Sequence, residues 1–99
     1  MNRSKSFDES LSQLMRKHPK KAKHFILGLI EGEDGWEIED ALKETIYRMG
    51  VKEFSEWAGQ YPTHVTAFLK GRRKLKPETL NEYLEPFGLR TKLTLEEVA

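Results

Sequence analysis

Apolar residues along this chain recur three and four positions apart, the spacing that gathers side chains on one face of an α-helix. Phe7, Leu11, Leu14 and Met15 form a first stripe, preceded by the S-x-x-E string Ser6–Glu9, a capping box. Pro19 stops that helix and can begin the next, where Ala22, Phe25, Ile26, Leu29 and Ile30 make a wide apolar face around Gly28. The string EGEDG at 31–35 reads as an acidic loop. A third helix is expected from Trp36 to Met49, with Ile38, Ala41, Leu42, Thr45, Ile46 and Met49 inward and Gly50 as its stop. Phe54 and Ala58 then mark a fourth helix, with small Ser55 where a neighbour must cross closely, and Gly59 supplies a turn. Pro62 opens a fifth, whose stripe is Val65, Phe68 and Leu69. A sixth starts near Pro77, buries Leu80, Leu84 and Phe87, and ends at Gly88, with Pro86 bending its last turn. Beyond it the period changes. Leu89, Thr91, Leu93 and Leu95 alternate with Arg90, Lys92 and Thr94, a strand pattern. One strand cannot pair with itself, so a second copy of the chain is the obvious partner.

The expected architecture is therefore all-α, about six short helices with a short C-terminal strand. Ninety-nine residues suit one compact domain. Residues 1–50 would form a helical extension on the same core as residues 51–99. With no cysteine, neither a disulfide framework nor a thiolate metal site is available. The longest apolar run, FILGLI at 25–30, is far shorter than the roughly 20 residues a membrane span needs. No apolar stretch follows the early charges as a secretion signal would, so a cytoplasmic location is expected.

A net charge of +1 hides a sorted distribution. Residues 1–24 hold seven Lys and Arg against Asp8 and Glu9, and residues 31–44 hold seven acids against Lys43. Residues 63–76 carry Lys70, Arg72, Arg73, Lys74 and Lys76 with no acid. Local phosphate neutralisation depends on such a block more than on the total. The block directly follows the fifth helix, so residues 51–89 have the build of a helix-turn-helix, whose second helix lies in the DNA major groove. Its outward positions are Thr63, His64, Thr66 and Ala67, with Pro62 at the start. Thr63 and Thr66 can bond bases or phosphates, and the Ala67 methyl can meet a thymine methyl. Lys70, Arg72, Arg73 and Lys74 are the candidates for phosphate contacts. An ordinary three-helix packing unit with a solvated basic loop would show much of the same pattern.

From Phe54 to Leu89 the chain resembles the Xre/Cro-type helix-turn-helix domains. Gly59, Val65, Phe68, Gly71, Arg72, Arg73, Glu78, Thr79, Leu80, Gly88 and Leu89 fall where that family has its turn, anchors, loop and closing helix. The preceding half resembles the lead-in of the HigA-like addiction-module antidote proteins, with Pro19, Ala22, Phe25, Asp34, Ala41, Leu42 and Gly50 at matching places. The tail also resembles that family's short terminal strand. The resemblance implies a dimeric repressor that binds its own operator in double-stranded DNA and neutralises a small toxin protein. Two features depart from the family. Tyr61, Pro62, Thr63 and Ala67 stand where Ser, Arg or Gln are usual, leaving few bidentate donors for base edges. Pro86 interrupts the last turn of the closing helix.

Other chemistry finds little support in the residues. His18, His24 and His64 lie on three separate segments without metal-ligand spacing, and no catalytic set or phosphate loop is visible. Glu37, Asp40 and Glu44 share a helix face, best read as solvated acids. No enzyme activity, cofactor or metal is therefore expected. Trp57 borders the fourth helix's apolar face, either as a rim residue on helix three or as an anchor for a dimer mate or toxin. Trp36 is ambiguous in the same way. With Trp57, the tail residues Arg90, Lys92, Leu93 and Leu95 complete the expected dimer or partner surface. The rival reading is a protein-interaction module, a toxin-binding or scaffold subunit with little DNA binding.

Overall fold

The computed structural model describes residues 3–92, 95, 97 and 98, with side chains from residue 9 onward. Six α-helices follow one another: α1 (Arg3–Lys17), α2 (Ala22–Glu31), α3 (Ile38–Met49), α4 (Val51–Ala58), α5 (Pro62–Leu69) and α6 (Pro77–Leu84). Single 3-10 turns, Pro19–Lys21 and Glu85–Phe87, lead into α2 and out of α6. The all-α reading holds for the described residues.

Local chemistry explains most boundaries. Pro19, Pro62 and Pro77 each occupy a first helical position, where a missing N–H forfeits no helical bond. α4 and α5 end in the same way. Gly59 (φ 67°) and Gly71 (φ 75°) turn left-handed, a region costly for any residue with a Cβ. The next amide then reaches back five residues: Gln60 N–H bonds Ser55 O at 2.9 Å, and Arg72 N–H bonds Ala67 O at 2.8 Å. These are Schellman closures, which satisfy carbonyls that a helix end leaves open. Ahead of Pro86, α6 stops at Leu84 and tightens into the 3-10 turn, but Glu85 keeps right-handed helical angles (φ −53°, ψ −45°), so the proline does not push its neighbour out of the helical region as expected.

Burial then fixes how the helices meet. α3 is the central element, packing against α1, α2, α4 and α5. One core cluster runs from Met15 on α1 to Phe87 after α6, and includes the fully buried Ile26, Leu42, Ile46, Phe54, Val65 and Phe68. Buried Thr45 satisfies its hydroxyl by donating to Ala41 O at 2.8 Å. Within the core, Phe54 gathers an aromatic cluster. Its ring centroid lies 5.5 Å from Tyr83, 6.0 Å from Phe87 and 6.4 Å from Trp57. Phe68 meets Tyr83 edge-on at 5.8 Å. These contacts lock α5 against α4 and α6.

Several expectations need correction. α1 spans Arg3–Lys17, so Ser6 lies inside the helix and does not cap it. The side chain of Phe7 lies outside the described residues. Leu14 is 42% exposed and Ile38 is 37% exposed, although both fit the apolar spacing. α3 starts at Ile38, two residues later than expected, because the Trp36 N–H bonds Leu29 O at 3.0 Å and closes the acidic loop. Tyr83 and Leu75, absent from the expected core, are buried at 0% and 5% exposure.

The tail differs as well. No β-strand occurs among the described residues. Leu93 and Thr94, inside the alternating stretch, lie outside them. Leu89 packs on the core, and Thr91 is tied to α6: its backbone N–H and its hydroxyl both donate to Asn81 Oδ1, at 2.7 and 2.9 Å. A strand also needs a ladder partner, which a single copy of this tail does not have.

Candidate nucleic-acid interface

α4 and α5 are joined by only three residues, Gly59, Gln60 and Tyr61. Ser55, 2% exposed, gives α5 room to approach. Val65 and Phe68 hold α5 down, and its outer face is left to solvent. Pro62, Thr63 and His64 are exposed; Thr66 and Ala67 are half-buried. Tyr61 is 72% exposed, and its ring meets the imidazole of His64 edge-on at 5.4 Å. The aromatic pair thus flanks the first turn of α5, and short side chains follow it.

The basic run begins where α5 ends. Arg72 and Arg73 both donate backbone N–H groups to Ala67 O, at 2.8 and 3.2 Å, so the chain folds back over the helix end. Four residues beyond Gly71, buried Leu75 pins the run to the core, with exposed Lys74 and Lys76 on either side of it. The run is held at both ends. Lys70, Arg72, Lys74 and Lys76 are exposed, and none has an ion-pair partner among the described residues. Arg73 differs from the rest. It is half-buried, and its charge acts on the phenol of Tyr83, which lies at 0% exposure with no hydrogen-bond partner among the described residues. Burial pushes the Tyr83 hydroxyl above its usual 10.0; the Arg73 guanidinium opposes this and the Glu82 carboxylate adds to it.

The expected base-facing and phosphate-facing residues therefore lie on one helix and the loop leaving it. Lys76 belongs with the cations, and its place in the acid-free run was signal enough to include it. Leu75 was legible too, as a lone leucine among charges. An acidic edge bounds this surface. Trp36, Asp40, Lys43, Glu44, Tyr47 and Leu69 line a cleft of about 510 Å³ between α3 and the end of α5. There the Lys43 ammonium stands 5.1 Å over the Phe68 ring, and Glu44 accepts from Arg48 Nε at 2.9 Å. Among the described residues, no group of His, Asp or Glu is arranged to hold a metal.

The expected partner surface is dispersed. Trp57 is half-buried, edge-on to Phe87 at 4.8 Å, so its ring partners come from α4 and the turn after α6. Arg90 lines a second cleft, of about 590 Å³, with Glu78, Asn81, Glu82, Glu85, Gly88 and Leu89. Lys92 is exposed, and Leu95 is 94% exposed. Leu93 lies outside the described residues. No described helix is long and apolar enough to cross a membrane. Compared with models of known protein families, with curated proteins and with solved structures, the chain matches none.

Proposed function

We propose that this protein is a helix-turn-helix repressor of the antidote type, which binds operator DNA as a dimer. The observation that carries the reading is the junction at Gly71. An exposed helix face of short side chains passes straight into four exposed cations without an ion-pair partner among the described residues, and a Schellman closure and Leu75 hold those cations in place. An isolated solvated loop has no need of such anchoring. A loop that neutralises phosphates does, because contacts fixed before binding lose less conformational freedom on binding.

In this reading α5 enters the major groove with Thr63, His64, Thr66 and Ala67 toward the bases. Lys70, Arg72, Lys74 and Lys76 contact the backbone, with Arg73 a lesser contributor. Pro62 and Ala67 offer no polar side-chain atom, so direct readout is thin and much of the selectivity comes from DNA shape and half-site spacing. Asp40 and Glu44 repel phosphates and so limit how the duplex can lie across the end of α5. Dimerisation proceeds through the tail, whose Leu95 and Val98 are both more than 90% exposed. Toxin neutralisation and a cytoplasmic location accompany this reading through the resemblance to the antidote proteins.

The test is a binding-site selection from random duplexes with the purified protein. The expected product is a short consensus of inverted half-sites about one helical turn apart, tolerant of single base changes and intolerant of altered spacing. Absence of enrichment, together with no retention of any duplex at low salt, would sink the reading. One observation favours the protein-interaction alternative, namely the cleft beside Tyr47, whose ring is 75% exposed next to Trp36 and Leu69. Retention of a small protein partner by a chain that ignores DNA would establish it.

A further inference from the structure

We propose that the cationic turn at Pro19–Lys21, with Lys17 just before it, is a second phosphate-binding surface that grips duplex DNA outside the stretch reached by α5. The inference rests on the DNA-binding reading of α4 and α5. Residues 10–30 contain Arg16, Lys17, Lys20, Lys21 and Lys23 and not one carboxylate. Arg16 is engaged with the protein, donating from Nε to Met49 O at 3.0 Å. Lys17, Lys20 and Lys21 are exposed and have no ion-pair partner among the described residues. The only carboxylate on the facing turn, Glu85, is exposed and forms no ion pair with them.

The turn is also firmly placed. His18 N–H bonds Leu14 O at 2.8 Å and Lys21 N–H bonds His18 O at 2.9 Å, while Ala22 directly behind is fully buried. The Pro19–Lys21 turn packs on α1 and on the Glu85–Phe87 turn, and Arg16 just ahead of it reaches Met49 O at the α3–α4 junction. The Lys70–Lys76 run, by contrast, leaves the end of α5. A duplex that continues past the groove α5 occupies offers its phosphates to this second acid-free set.

The test compares Lys20→Gln/Lys21→Gln with Lys20→Arg/Lys21→Arg and the unaltered chain. Each is titrated by fluorescence anisotropy on random-sequence duplexes of about 10 and about 20 base pairs, one and two helical turns, across a salt series. On the longer duplex the Gln variant should bind roughly tenfold more weakly at low salt, and its log K against log salt slope should flatten by about 1.8. On the shorter duplex it should match the unaltered chain, and the Arg variant should match it on both. Unaltered binding and slope of the Gln variant on the longer duplex overturn the second surface and leave the α5 reading standing. Equal losses on both lengths overturn the placement outside the α5 footprint. If the unaltered chain binds neither duplex, the second surface falls together with the reading it rests on.

Discussion

Replacing Arg72 and Lys74 by Ala removes two exposed cations that have no ion-pair partner among the described residues, so their loss can be read through ionic strength. Stability should change by no more than about 0.5 kcal/mol, as for surface positions in general. If each cation neutralises one phosphate, each contributes about 0.9 to the slope of log K against log salt, or about 1.8 together. From about 50 to 200 mM salt the logarithm of concentration rises by about 0.6, so the unaltered chain should lose roughly tenfold more affinity than the variant. Arg73→Ala is the internal control. Its side chain is half-buried and its charge is spent partly on Tyr83, so its slope change should be well below that of either neighbour. The assay is anisotropy of a labelled duplex over a salt series, with circular dichroism to confirm helicity. Equal slopes for the double variant and the unaltered chain would refute the assignment of the loop to phosphates. A larger effect from Arg73 than from Arg72 would refute the geometric ranking.

Two glycines should respond in opposite directions to Ala in urea or thermal unfolding. A Cβ at Gly71 meets nothing within 4 Å, so Gly71→Ala bears only the left-handed backbone penalty and should cost about 1 kcal/mol, whereas Gly28→Ala, inside α2 with equal space, should stabilise by about 0.5–1 kcal/mol. Leu75→Ala should cost about 2–3 kcal/mol and weaken duplex binding beyond its effect on folding, because it frees the basic run; unaltered affinity of the folded fraction would show that the anchor is irrelevant to binding. Tyr83 has a folded pKa above its usual 10.0, so the stability it confers is complete below that pH and is lost as pH rises past it, when only the unfolded chain ionises readily. Tyr83→Phe removes a buried hydroxyl without a partner; it should be neutral or stabilising by about 1 kcal/mol and should lessen the alkaline loss, and a clear destabilisation at neutral pH would argue against an unpaired hydroxyl.

The helices and their ends were legible because they depend on nearest neighbours in the chain. Pro62 and Pro77 start helices and Gly59, Gly71 and Gly88 stop them through backbone freedom and missing amides, properties that travel with the residue. The 3.6-residue period likewise placed Val65 and Phe68 inward on α5 and left Thr63 and His64 outward. Which members of a stripe are covered was a tertiary decision. Leu14 and Ile38 satisfy the period yet stand exposed, while Tyr83, one position before the expected Leu84, is buried against Phe54 and Phe68. The basic run was visible as composition. Its separation into four exposed cations and a half-buried Arg73 was not, since it depends on Leu75 turning inward and on Tyr83 lying beneath. The tail shows the same division: alternation is a property of the string, but Thr91 is held by Asn81 of α6, and pairing requires an edge that the sequence of one copy does not contain. Periodicity records which face of an element is apolar, and only the packed chain determines what covers that face.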